Sequence, residues 1–234
     1  PEDGDAVRPE AGGFVVSYTG RSGGGERGAR AVAVASGYFC NPTRLGVPGE
    51  SSPWVHCRYR EALAHFGESV VVVGGGNSGV EAALDLYRHG ARVTLVHHGT
   101  ALKETVKYWV KPDIENRISE GLIACYRNAE VAEIRPDDVI LRNGTGADIT
   151  IANDFVLAMT GYEPDTSLIA SLNATIDTSC GKPVLDGHFE TDVPGLYVGG
   201  TLCAGQESNI VFIENSRDHG PAIVRRIAKK AKQS

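Results

Sequence analysis

Ser69-Val70-Val71-Val72-Val73-Gly74-Gly75-Gly76-Asn77-Ser78-Gly79-Val80 is the stretch that decides the fold. Its four consecutive valines make the uninterrupted apolar run that a strand buried on both faces needs. The G-x-G-x-x-G that follows opens a helix, because Val80, Ala83, Leu84 and Leu86-Tyr87 recur at helical spacing as far as Gly90. Gly90 suits the left-handed position that ends a helix. Ala91-Arg92-Val93-Thr94-Leu95-Val96 is then a second strand. Strand, glycine turn, helix and strand within ~30 residues is the setting in which this glycine spacing holds a dinucleotide. Gly74 permits the tight turn, Gly76 lets the backbone approach the pyrophosphate, and Gly79 allows close helix–sheet packing. Asn77 and Ser78 open the helix whose N-terminus would hold the anion.

The same spacing occurs earlier, in Gly23-Gly24-Gly25-Glu26-Arg27-Gly28. There it precedes the strand-like Ala31-Val32-Ala33-Val34-Ala35, with no helical period, so it reads as a flexible hairpin connection and a decoy.

An NAD site usually carries an acid ~20 residues on, at the end of the second strand, to hold the ribose 2′-hydroxyl. Here that place is His97-His98-Gly99, and the nearest acid is Glu104. With no carboxylate to repel a 2′-phosphate, and with His97, His98, Lys103 and Lys107 as sources of positive charge, NADP(H) is expected over NAD(H).

Beyond this unit, residues 104–120 read as helical with a kink or break at Pro112. Leu122-Ile123-Ala124-Cys125-Tyr126 reads as a third parallel strand. Val131–Ile134, Asp138–Leu141 and Ile149–Ile151 alternate around turns as an antiparallel meander, closing on Phe155-Val156-Leu157-Ala158 and a stop at Gly161. The first block, with the strand Phe14–Tyr18, ends in the same way at Ser36-Gly37-Tyr38. Such an echo is expected of a doubled dinucleotide fold whose first copy retains only its tail. Pro194–Gly200 reads as a buried strand reaching a glycine pair, and Ile210–Lys230 as helix interrupted at Gly220-Pro221.

Composition excludes several classes. A chain of 234 residues, 41% hydrophobic and 22% charged, is a folded α/β protein rather than a disordered one. No apolar run approaches the ~18 residues of a membrane span. Twenty-three basic against 29 acidic side chains give a net charge of −6, the wrong sign for a nucleic-acid or membrane surface. Five cysteines without C-x-x-C spacing offer neither a zinc clip nor a local dithiol, and point to a cytoplasmic protein with mostly buried thiols. The absent initiator Met leads us to expect a chain that starts inside a longer protein.

Val70–Ala83 resembles the pyridine-nucleotide domain of thioredoxin-reductase-like flavoproteins. Leu45-Gly46-Val47-Pro48-Gly49-Glu50, Lys107-Tyr108-Trp109, Pro112–Ile118 and Phe212-Ile213-Glu214-Asn215 look closer still to the bacillithiol disulfide reductase family within them. The resemblance implies an FAD- and NADPH-dependent reductase of a small-molecule disulfide, with room for a homo-oligomer. It implies an α/β fold of two dinucleotide-binding domains, with a parallel sheet plus meander in the NADP domain and an incomplete FAD domain. By this similarity residues 1–66 and 163–234 form the FAD domain and residues 67–162 the NADP domain. Ser36-Gly37, Gly200-Thr201 and the backbone at Ser208, Asn209 and Ile210 would then lie by the flavin, and Gly161 beside the NADP. Thr201 stands where many relatives carry an acid. Cys57 stands where thioredoxin reductases have the first cysteine of a dithiol, but the partner position is Arg60. A lone thiol cannot store two electrons as an internal disulfide, so Cys57 reads as structural and no catalytic residue is assigned. Three alternatives stay open: a flavin-dependent monooxygenase, for which His56, Arg58 and Tyr59 speak; a nucleotide-binding module without activity; and a plain NAD(P) dehydrogenase.

Overall fold

The computed structural model describes residues 6–20, 23–207 and 210–233. The chain forms two compact units, one running to Asn41 and resuming at Tyr162, the other spanning Pro42–Gly161.

The first unit begins with β1 (Val7–Glu10), β2 (Gly13–Gly20) and β3 (Gly23–Ala29), an antiparallel meander in that order, followed by β4 (Val32–Val34). The glycine run expected as a flexible connection is itself a strand, paired with β2 from Gly20↔Gly23 to Phe14↔Ala29. Without a side chain, glycine loses the most entropy in a strand. Cross-strand pairing offsets that here, and the Arg27 guanidinium lies 5.4 Å from the Tyr18 ring centre. No helix follows this run, so it has no dinucleotide role.

The second unit contains β5 (Val55–His56), β6 (Ser69–Val73), α1 (Asn77–Arg88), β7 (Arg92–His97), α2 (Lys111–Ser119), β8 (Ala124–Arg127), β9 (Ala129–Ile134), β10 (Asp138–Asn143), β11 (Asp148–Ala152) and β12 (Phe155–Ala158). Its parallel sheet has the order β5-β12-β6-β7-β8, and β11-β10-β9 form the meander. The β6 valines alternate between two cores, as strand geometry requires. Val70 and Val72 pack with Leu84, Leu86, Leu95 and Ile114. Val71 and Val73 pack with Val96, Val131, Val139 and Leu141 beneath the meander.

Two expectations change here. Residues 104–110 are turns, not helix. Pro112 lies in the first turn of α2, where its missing N–H leaves no bond unmade, so it starts the helix instead of kinking it. Residues 42–66 cluster with this unit and not with the first segment, because β5 pairs in parallel with β12 (Val55↔Val156, His56↔Leu157). Leu45, Val47 and Trp54 also pack on the meander core.

The first unit resumes with α3 (Ser167–Ser171), β13 (Ile176–Asp177), β14 (Lys182–Pro183), β15 (Leu196–Val198), α4 (Ile213–Ser216) and α5 (His219–Ala231). β15 pairs in parallel with β4, over a core that includes Phe14, Val34, Ile169, Leu172, Leu196 and Leu202. The helix break falls at Arg217-Asp218, and Gly220-Pro221 sit inside the first turn of α5, where proline is tolerated. Among the described residues no helix is long and apolar enough to cross a membrane.

Leu95 is fully buried between helix and sheet, whereas Leu63 is 67% exposed. Leu95→Ala is expected to cost about 2–5 kcal/mol, and Leu63→Ala less than about 0.5 kcal/mol, in urea denaturation of the chain. Equal costs would contradict the placement of this core.

Candidate nucleotide-binding site

The second unit's site is built at the carboxyl edge of its parallel sheet, where β6 turns into α1. Gly74 has φ +128°, and a Cβ there would collide with the Met159 carbonyl oxygen at the end of β12. A Cβ on Gly79 would run into the Gly74 carbonyl oxygen. Both glycines are therefore demanded by the fold itself.

Gly76 differs. It caps α1 in an extended conformation (φ −92°, ψ −176°), and the nearest atom to a Cβ there would be Lys103 Cδ at 3.8 Å. The fold leaves room for a side chain at Gly76, so glycine there keeps space open in front of the helix. No side chain caps α1, and its first turn carries no acid. The uncapped N–H groups and the positive dipole end fit a pyrophosphate. Ser78 is exposed at this edge. Asn77 acts as a brace: its side-chain amide donates to the Thr105 carbonyl (2.8 Å) and its oxygen accepts from the Lys107 N–H (2.8 Å). The Gly75 carbonyl likewise accepts from Lys103 N–H at 3.1 Å.

The expected charge donors divide. His97 is buried at 3% exposure, and a Cβ on Gly75 would lie 2.6 Å from its ring. Burial, then the neighbouring His98, Lys103 and Arg127, lower its pKa, partly offset by a backbone bond at Ala101. His97 is thus a neutral support beneath the glycine loop, which corrects the expectation that it supplies positive charge. His98 is exposed, with its ring 4.6 Å from that of His97. Lys107 is engaged by Glu81 at 2.7 Å. The Lys103 side chain is exposed and makes no ion pair among the described residues. Arg127, which sequence reading missed, ends β8 directly opposite His97 in the parallel register. Its signal was positional: carboxyl ends of adjacent parallel strands share one edge. Gly161 follows β12 at this same edge, with φ +104° and its carbonyl accepting from Thr43 N–H at 3.0 Å.

In the first unit, the pairing of β4 with β15 brings Ser36-Gly37 and Gly200-Thr201 together. A Cβ on Gly37 would sit 3.4 Å from Thr201 Oγ1. Gly37 and Gly200 both take positive φ, and the Gly200 N–H donates to His219 Nδ1 at 3.1 Å. A Cβ on Gly200 would meet nothing within 4 Å, so this turn also faces open space that suits a flavin. Ile210 is exposed. Ser208 and Asn209 lie outside the described residues.

Residues 3–200 match the family model described as pyridine nucleotide-disulphide oxidoreductase. The chain belongs to this family. It is 40% identical over 198 residues to "Bacilliredoxin reductase Bdr" of Bacillus subtilis (strain 168), covering 84% of this chain and 61% of that relative. It therefore spans less than two thirds of that relative's length. Among solved structures it resembles "Bacillithiol Disulfide Reductase Bdr" from Bacillus cereus, at 37% identity and a TM-score of 0.92, covering 96% of this chain and 70% of that one. The Staphylococcus aureus Bdr structure matches at 31% identity and a TM-score of 0.87, covering 96% and 69%. The two-domain flavoprotein fold expected from the sequence is the fold of these structures.

Gly76→Ala is expected to cost about 1 kcal/mol or less, because alanine caps a helix less well than glycine, while weakening nucleotide binding at least about tenfold. Gly79→Ala is expected to destabilise by about 1–3 kcal/mol. Thermal melts and nucleotide titrations of both variants check this; a Gly76→Ala protein that binds normally contradicts the assignment.

His65, His97 and His219 all have pKa values lowered by burial from 6.5. The unfolded chain then binds more protons than the folded one on the acid side, so stability must fall as pH drops through about 6.5. Denaturation midpoints at about pH 7.5 and pH 5.5 test this sign; stability unchanged or higher at the lower pH refutes it.

Proposed function

We propose that this chain serves an FAD-dependent reductase that draws hydride from NADPH and reduces a low-molecular-weight disulfide of the bacillithiol kind. In this reading the second unit holds NADP(H), through Gly74, Gly76, Gly79 and the first turn of α1. The first unit holds FAD, through Ser36-Gly37, Gly200-Thr201 and the backbone near Ile210. The observation that carries the reading is the space kept open at Gly76 before an uncapped helix, flanked by cations and by no acid at the end of β7. The names of the Bdr relatives supply the substrate class.

When bound, the two cofactors supply the hydride and electron chemistry, and the protein supplies orientation and electrostatics. The α1 N-terminus neutralises the pyrophosphate. Lys103 and Arg127 favour a 2′-phosphate, whose two charges would be disfavoured by the usual acid. Neutral His97 supports the loop at Gly75, and His219 fixes the Gly200 turn by accepting its N–H. Five thiols, with no disulfide among the described residues, suit a reducing compartment such as the cytoplasm.

Arg127→Glu is expected to weaken NADPH binding about tenfold or more while leaving NADH within about twofold. Fluorescence titration of both nucleotides decides this. Equal losses for the two nucleotides, or an NADH preference in the unaltered chain, would overturn the NADP assignment.

A further inference from the structure

In the first unit, one imidazole makes a bond that only one of its protonation states allows. The Gly200 N–H donates to His219 Nδ1 at 3.1 Å. A backbone N–H is always a donor, so this nitrogen is the bare acceptor, and the ring is neutral with its proton on Nε2. The one other partner of Nδ1 among the described residues is the Cys203 sulfur at 4.0 Å, a weak acceptor. Burial pushes the Cys203 thiol up to about 11, and its S–H donates to the Val198 carbonyl at 3.3 Å.

The ring is also held by a stack. It packs on Phe189, with ring centres 4.1 Å apart and planes 26° from parallel. Phe189 has φ +64°, a left-handed conformation that is strained for a phenylalanine. Its N–H donates to the Asp186 carbonyl at 3.1 Å and its carbonyl accepts from the Val198 N–H at 2.9 Å, which keeps the strained residue in place. Val198 ends β15, two residues before Gly200. The strain thus sits where it sets an aromatic ring against the imidazole that holds the Gly200 turn. Burial keeps the His219 pKa below the ordinary 6.5, against the upward pull of Asp218. Asp218 on its own helix and Cys203 in the turn are the titratable groups facing the ring. Beside Phe189, Asp186 and Glu190 are engaged by Arg226 and Lys230, and His188 is exposed.

We propose that His219 is a proton-operated latch on the Gly200-Thr201 turn: neutral, it positions the turn for FAD, and protonated, it releases the turn and weakens FAD binding. The proposal rests on the reading that places FAD at this turn. A proton from solvent that adds to Nδ1 converts the acceptor into a donor, so two N–H groups face each other and the Gly200 bond breaks. Gly200 has no side chain to hold its φ of +68°, and the freed turn gains conformational freedom. Gly37, where a Cβ would lie 3.4 Å from Thr201 Oγ1, then loses a fixed neighbour. The latch is closed above about pH 6.5 and opens as the pH falls through the lowered pKa. His219 is a positioning residue, acting through Gly200.

Amide NMR of the labelled chain, taken from about pH 8 to about pH 5, follows the latch without any cofactor. The Gly200 amide proton should move upfield along the same titration curve as the His219 ring, with a midpoint below 6.5. His219→Gln, whose side-chain carbonyl can accept at every pH, should keep the Gly200 amide unmoved across this range. His219→Leu should show the released shift throughout, with an unchanged circular dichroism spectrum. A Gly200 amide that ignores the His219 titration overturns the proposal. FAD affinity, measured by flavin fluorescence, should fall about tenfold from about pH 7.5 to about pH 5.5, and less than about twofold in His219→Gln. Equal FAD affinity at both pH values overturns the latch and spares the flavin reading. A Gly200 amide that titrates with His219 in a chain that binds no FAD supports the latch on the turn and counts against the flavin site.

Discussion

Where β6 ends, the backbone of Gly74 passes the Met159 carbonyl and the start of α1 so closely that no side chain fits at Gly74 or Gly79. This close approach sets the geometry of the second unit. It lets α1 begin at the carboxyl edge of the sheet, its dipole directed at the open space before Gly76. The valines of β6 then continue the same strand downward, alternate ones feeding the helix-side core and the meander-side core. Because β7, β8 and β12 run parallel to β6, their ends bring His97, Arg127 and Gly161 to one edge. A single steric constraint thus fixes both the packing and the position of the candidate anion site.

The strand–helix–strand half of this arrangement was legible in the sequence because two periodicities and three glycines agreed on one βαβ unit. What escaped were features that depend on contacts distant in sequence. Arg127 lies 30 residues beyond His97 and becomes its neighbour only through the parallel register. His97 carries no sign in the sequence that its ring is buried beneath Gly75, so it read as a charge donor and not as a neutral support. The glycine run of β3 lacks any strand propensity of its own and is ordered by pairing with β2. Residues 42–66 read with the first block because β5 is two residues long and gains its place only from β12. Pro112 signalled a break where it makes a beginning, since the preceding turns hold no helical period.

Electrostatics at the candidate site of the second unit is local. At the glycine loop Lys103 and Arg127 are cationic, and burial keeps His97 neutral. Both side chains favour an anion in a chain whose net charge is −6, so the attraction is local to this surface and not a property of the whole protein.

The central claim is that the α1 N-terminus is the anion-binding element for NADP(H). Two-dimensional amide NMR of the labelled chain, titrated with NADPH, tests it most directly. The largest shift changes should fall on the backbone amides of residues 75–79, with smaller ones near Lys103 and Arg127. Saturable shifts elsewhere that leave residues 75–79 unmoved would contradict it.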